Sequence, residues 1–288
     1  MLKKHNQNGF HLIIVPLVVI VLGAIGFAGW KVLSNKKDPI TSASTATTVS
    51  PNAAGANKKE ISYIAWQFND TTWSASETPP SCEEPLSIGS PTDLSKITGK
   101  LLPGEIRGGD YKAHGGLAND NATDDQMNIY AVRDAYLYQG ARYMENGTLQ
   151  YLLDFVSPCG IRFRFDHLAA LAPDIAKLAE ELPAPKVDDT RTNPITPTLV
   201  KRGQLVATAV GHKETMNIGF DLGVYDLRHT NAASETNLYQ TESQRVNKKE
   251  QSYYGLCWFK YVDEPDRTIL LQMPVRGSNV SKPSEFCD

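Results

Sequence analysis

Apolar and polar positions divide the chain into three regimes. From Leu12 to Trp30 no charged residue occurs, and Val, Ile, Leu and Gly dominate. At about 1.5 Å per residue this run reaches close to the roughly 30 Å hydrocarbon core of a bilayer. Trp30 and Lys31 stand where an interfacial anchor is expected. The pattern predicts a short polar tail at 1–9 and a single transmembrane helix at 10–33. Residues 34–59 then turn to Ser, Thr, Ala, Pro and Asn with almost no large apolar side chain. Such a stretch buries too little surface to order itself and reads as a flexible linker.

Beyond residue 60 the period shortens to two. Tyr63, Trp66, Phe68 and Trp73 fall in two short strand-like runs around an Asn69-Asp70 turn signal. Further strands are expected at Asn128–Val132, at Ala135–Tyr138 and Ala141–Met144 on either side of Gln139-Gly140, and at Leu149–Val156. Gly160–Phe165 alternates cleanly, with Ile161, Phe163 and Phe165 on one face. Pro173–Glu181 has helical spacing with Pro in its first turn. Thr190–Thr198 reads as a loop, and Leu205–Val210 and Ile218–Tyr225 as strands. Tyr253–Phe259 and Thr268–Met273 read as a final hairpin. Many short strands with frequent turn signals predict a mostly-β, antiparallel sandwich or barrel-like domain. Its expected parts are an N-terminal extension at 60–103, a central β domain at 104–228 and a C-terminal β extension at 229–288.

Charge adds little to this picture. The net charge is -3, and no basic stripe interleaves with aromatics, so nucleic acid is not an expected partner. The cysteines add more. Cys82, Cys159, Cys257 and Cys287 contain no Cys-x-x-Cys pair, which disfavours a zinc ribbon. Four spread cysteines behind a membrane anchor fit disulfides in an oxidising compartment. Three connectivities are open. Cys82–Cys159 with Cys257–Cys287 is favoured because each bridge would tie down a terminal extension. Flanking lysines do not decide the orientation, but the cysteines and linker point to a single-pass protein with an extracytoplasmic domain. Lys3, Lys4 and Gly9-Phe10 also resemble a prepilin leader, although Ile14 stands where pilins carry glutamate. A structural surface or pilus-like subunit is therefore a further reading.

The candidate chemistry begins at Arg107-Gly-Gly-Asp-Tyr-Lys-Ala-His-Gly-Gly116. Glycines after His114 would let the backbone approach a neighbour or bend with positive φ. Phe165-Asp166-His167-Leu168, Val200-Lys201-Arg202-Gly203-Gln204 and Asn217-Ile218-Gly219-Phe220-Asp221 follow. On these motifs the segment from about Gly104 to Arg228, a little under half the chain, resembles the lysostaphin-like (LytM-type) zinc endopeptidases of peptidoglycan. The resemblance implies a small antiparallel β-sandwich, the duplicated hybrid motif. It aligns His114-Gly115 with the first ligand motif, His-x-Gly-x-Asp. Ala118 then stands at the aspartate position, and Asp120 lies two residues on. Phe165–Leu168 matches the family's Tyr-x-His-Leu, and Val200–Gln204 its Val-x-x-Gly-x. Asn217 and Gly219 stand where a His-x-His would complete the zinc set.

The expectation is a non-catalytic relative, anchored in the membrane, that binds peptidoglycan or an envelope protein and needs no cofactor. Tyr111, Gly115, Gly116, Asn217 and Asp221 are the candidate groove residues. The alternative is a divergent zinc endopeptidase, with His114, Asp120 and His212 on zinc and His167 catalytic. The acidic and amide residues of 119–128 match no EF-hand spacing and read as a solvated turn. No Gly-x-Ser-x-Gly elbow and no phosphate loop occurs. Trp66, Trp73 and Trp258 read more readily as core than as sugar platforms.

Overall fold

The computed structural model describes residues 62–277 and 284–288. The expected membrane helix and the linker lie outside the described residues. Among those described, no helix is long and apolar enough to cross a membrane.

The chain begins with a small hairpin, β1 (Trp66–Phe68) and β2 (Trp73–Ala75), closed at Asn69-Asp70 as its turn signal suggests. Next come β3 (Gly99–Leu101), the pair β4 (Glu105–Arg107) and β5 (Asp110–Lys112), and then β6 (Gly115–Ala118) and β7 (Gln126–Tyr130). Three long strands follow: β8 (Ala135–Glu145), β9 (Thr148–Val156) and β10 (Ile161–Leu171). Helix α1 (Pro173–Ala179) leads to β11 (Lys186–Val187), β12 (Asn193–Val200), β13 (Leu205–Val210) and β14 (Gly219–Asp226). The C-terminal part is helical: α2 (Ser243–Asn247), α3 (Lys249–Ser252) and α4 (Asp266–Gln272).

The main sheet has ten strands, all antiparallel except for the short β11–β8 pairing. The expected mostly-β class is therefore found. Strand β10 is the backbone of the sheet. Its alternation places Ile161, Phe163 and Phe165 on the buried face. Phe163 lies opposite Phe155 of β9, and the two rings stack with centroids 4.7 Å apart. Cross-strand aromatic pairs of this kind fix register as well as adding buried area.

The opposite face of β10 is covered too. Arg162 and Arg164 point there and converge on the fully buried Asp154 of β9. Tyr225, Tyr239 and Tyr254 close over this face, with Trp66, Phe68 and Trp73 of the first hairpin packed against them. Buried Arg245 holds buried Glu285 at 2.8 Å, and Tyr111 donates to the same carboxylate. The two extensions thus supply the cover of the sheet's second face.

Both disulfides have the favoured connectivity, Cys82–Cys159 and Cys257–Cys287. Trp258 is fully buried and Trp73 packs in the aromatic layer, as core residues do. Three local expectations are corrected. The segments either side of Gln139-Gly140 form one strand, β8, with a register shift between Leu137 and Gln139 absorbing the interruption. The expected loop at 190–198 is largely strand β12. Its ladder with β8 breaks between Pro194 and Thr198, where prolines remove donors, and that hid its strand character. The expected final hairpin is a 3₁₀ turn at Trp258–Tyr261 followed by α4. Glu264 accepts from the Thr268 amide and hydroxyl and so caps the helix start. The apolar run Ile269–Leu271 suits either period, and only Leu270 is buried.

Candidate functional site

The site sits where the sheet forks. Residues Ile161–Asp166 of β10 pair with β14, whereas Leu168–Leu171 pair with β13. One residue must absorb the change of partner, and it is His167. Its φ is +61°, a left-handed conformation that L residues other than Gly adopt at a cost. The Asp166 carboxylate accepts the His167 N–H at 2.8 Å and stabilises the turn. The His167 carbonyl accepts from the Gly211 amide. His167 is therefore lifted out of the alternation and presented at the fork.

Three other elements bring side chains to it. His114 immediately precedes β6, and its Nε2 lies 2.9 Å from Asp221 Oδ2 on β14. Asp221 is registered opposite Gly116. The two glycines after His114 are in extended strand, not at a positive-φ bend, so close approach is what requires them. A Cβ on Gly116 would lie 2.7 Å from both Asp221 Oδ1 and the Phe220 carbonyl oxygen. Replacing Gly116 with Ala is expected to destabilise the fold by about 1–3 kcal/mol. It should also displace Asp221 from His114. Thermal unfolding of the variant checks the first effect, and the His114 imidazole resonances check the second.

Glu145 ends β8, where Asn146 and Gly147, both with positive φ, make the two-residue turn into β9. Its Oε2 lies 3.2 Å from His167 Nδ1 and 3.3 Å from His212 Nε2. His212 is buried, and its backbone exchanges hydrogen bonds with Asn217 to close the loop before β14. Tyr143, two residues before Glu145, donates to Asp166 at 2.6 Å. His167 Nε2 stands 3.8 Å from Asp221 Oδ2 and so joins the two groups of residues.

The electrostatics follow from burial and charge. For His114 burial dominates, and its pKa falls despite Asp221 beside it. Burial also works against ionised Asp221, but His114, His167 and Arg107 outweigh it and hold the carboxyl well below the usual range. For His167 burial opposes the charge, yet Asp166, Glu145 and Asp221 together raise its pKa to about 10. His167 at bonding distance, and then His212, hold Glu145 below its ordinary value. Burial, reinforced by Asp166, keeps the Tyr143 phenol protonated.

A stability prediction follows for His167. Its folded pKa lies above the unfolded value of about 6.5. Its contribution is therefore complete below about pH 6.5 and is lost as pH rises toward 10. In chelator, denaturant melts of the protein and of His167→Asn should differ most near pH 6 and converge by about pH 10. A constant difference would remove the charge assignment.

The cleft over these groups measures about 360 Å³. Lys112, Arg164 and Lys248 contribute cations to its wall, and Glu145, Asp166, Asp188 and Asp221 contribute anions. A second cleft shares Lys112, His167 and Asp221 and adds His212 and Asn217.

Of the residues anticipated from sequence, His114, His167, His212 and Asp221 gather at the fork. Gly115 and Gly116 form the strand beside them. Tyr111 lines the cleft but spends its hydroxyl on Glu285. Asn217 serves the loop that holds His212. Asp120 is engaged elsewhere: it accepts from Thr98 Oγ1 at 3.0 Å and pairs with Arg276. His114 is bonded to Asp221, not to Asp120, and His212 faces Glu145. These residues therefore do not fit the zinc set of His114, Asp120 and His212. Glu145 and Tyr143 were not anticipated, although the Asn146-Gly147 dipeptide after Glu145 is a strong hairpin signal. No model of a known family, no curated protein and no solved structure matches the chain.

Proposed function

We propose that the chain is a membrane-anchored envelope protein whose β domain belongs to the lysostaphin-like, duplicated hybrid motif class. Its task is to bind peptidoglycan through the fork cleft without hydrolysing it. One observation carries this reading. His114, the ligand position that the resemblance keeps, is committed to Asp221 at 2.9 Å, while Asp120 is held by Thr98 and Arg276. A hydrolytic zinc needs three protein ligands and an open position, and the inherited set supplies too few.

The cleft lining supports a polar, zwitterionic ligand. Both cationic and anionic side chains line it, which suits a peptide bearing amine and carboxylate groups. The two disulfides support an oxidising compartment. The test is co-sedimentation of the full chain, in mild detergent, with purified peptidoglycan, followed by mass analysis of the supernatant. Saturable co-sedimentation with no released peptide is expected. Released, uncrosslinked peptides would replace this reading with a divergent endopeptidase. No co-sedimentation would favour a structural surface role.

A further inference from the structure

We infer that Glu145, His167 and His212 form a binding site for a divalent metal ion of the zinc class. The site keeps His212 of the zinc set expected from the sequence but replaces His114 and Asp120 with Glu145 and His167. One carboxylate oxygen and one ring nitrogen from each histidine lie within 4.8 Å of one another. Glu145 Oε2 is 3.2 Å from His167 Nδ1 and 3.3 Å from His212 Nε2. Zinc bonds of about 2.0–2.2 Å at tetrahedral angles put neighbouring ligand atoms roughly 3.3 Å apart. The spacing therefore suits one shared ion.

The surroundings point the same way. Glu145 Oε2 is buried, with a ring nitrogen of His167 and one of His212 on either side of it. His212 is buried, and its Nε2 is turned toward the cluster, 3.3 Å from Glu145 Oε2. His167 Nε2 faces Asp221 Oδ2 at 3.8 Å while its Nδ1 faces Glu145. Metal-bound histidines are usually oriented by a carboxylate at the other ring nitrogen in this way. Two nitrogens and one oxygen are a donor set for zinc and its neighbours in the transition series, rather than for calcium or magnesium. Three protein ligands leave a coordination position for solvent or a ligand atom.

The pieces come from three separate chain segments. Glu145 is held by the β8–β9 turn, His167 by the fork in β10, and His212 by the loop before β14. The fork explains why His167 keeps an unfavourable backbone conformation, because without it Nδ1 would not reach the other two.

The test uses the full chain in detergent, dialysed against zinc and assayed by elemental analysis, with titrations for affinity. About one zinc per chain is expected, and Co²⁺ in its place should give the visible absorption of a four-coordinate site. Glu145→Gln, at a half-exposed turn position, should weaken affinity more than about tenfold with its melting curve retained. His114→Gln should keep the zinc. Absence of stoichiometric zinc in the unaltered chain would overturn the proposal and leave a purely ionic cluster. So would zinc that persists in Glu145→Gln, or zinc that is lost in His114→Gln. Zinc content does not decide saturable co-sedimentation with peptidoglycan, and released peptide, not bound metal, decides between binding and hydrolysis, so the two proposals fail separately.

Discussion

Replacing Asp154 with Ala is expected to destabilise the protein by about 3–5 kcal/mol. The carboxylate is fully buried in the middle of the sheet. It accepts from Arg162 Nη2 at 2.9 Å, from Arg164 Nε and Nη2 at 2.8 and 2.7 Å, and from Gln139 at 2.8 Å. Arg162 also lies 5.4 Å from the Tyr225 ring and 5.7 Å from the Trp73 ring. Removing the anion leaves the buried Arg162 guanidinium, and Arg164 beside it at the cleft wall, without the carboxylate they share. That penalty, not the loss of a favourable pair, sets the size of the effect.

The pH dependence has a definite sign. Burial opposes the charge on Asp154, but the two arginines overcome it and depress the carboxyl below its unfolded value of about 3.9. The contribution is therefore present above about pH 4 and is lost as pH falls below it. Urea melts of the protein and of Asp154→Ala should differ by the full amount at pH 7 and draw together under acid conditions. A difference below about 1 kcal/mol at pH 7 would show that the surrounding layer does not hold the arginines in place.

The second large effect concerns the disulfides. Cys82–Cys159 closes a span of 77 residues and Cys257–Cys287 one of 30. Restricting the unfolded chain over such loops is worth about 4–5 and about 3–4 kcal/mol respectively in the chain-entropy treatment. The double variant Cys82→Ala with Cys159→Ala should therefore lose more stability than the corresponding Cys257 and Cys287 variant. Cys82 and Cys159 are also buried against the main core, so their loss removes packing too. Denaturant midpoints of both variants, and of the protein under reductant, check the order. The reverse order would place the larger share of the stabilisation in the C-terminal cover.

Much of this fold is legible in the residues. The alternation at Ile161, Phe163 and Phe165 gives the central strand, and the turn at Asn69-Asp70 gives the first hairpin. Of the three disulfide connectivities open to the sequence, the one favoured for tethering the extensions is the one present. What resists reading has identifiable physical causes. Strand β12 is masked because Pro194 and Pro197 suppress strand character, although the neighbouring residues still pair with β8. Helix α4 is masked because three consecutive apolar residues carry no period, and the cap that decides the matter comes from the Glu264 side chain.

The site divides in the same way. His114 and His167 stand out in motifs, and His212 as a histidine a few residues ahead of the position where the His-x-His is missing. Their partners do not, because partnership is set by register. Asp221 meets His114 because β14 pairs with β6 at Asp221 and Gly116. Glu145 meets two histidines because β8 ends beside the fork in β10. Asp120, close in sequence to His114, turns instead to Thr98 and Arg276. Strand β6 ends at Ala118, so Asp120 leaves the sheet in the turn that follows, and spacing along the chain gives no hint of which neighbour it then meets.

Binding without hydrolysis is tested by titrating a crosslinked muropeptide into the full chain, with the peptide recovered and weighed by mass spectrometry. The same titration on Asp221→Asn isolates the cleft. The expected result is saturable binding that Asp221→Asn weakens at least about tenfold, equivalent to roughly 1.4 kcal/mol, with the peptide recovered intact. Binding of equal strength in both proteins would place the ligand elsewhere, and a recovered peptide cut at its crosslink would make the protein an enzyme.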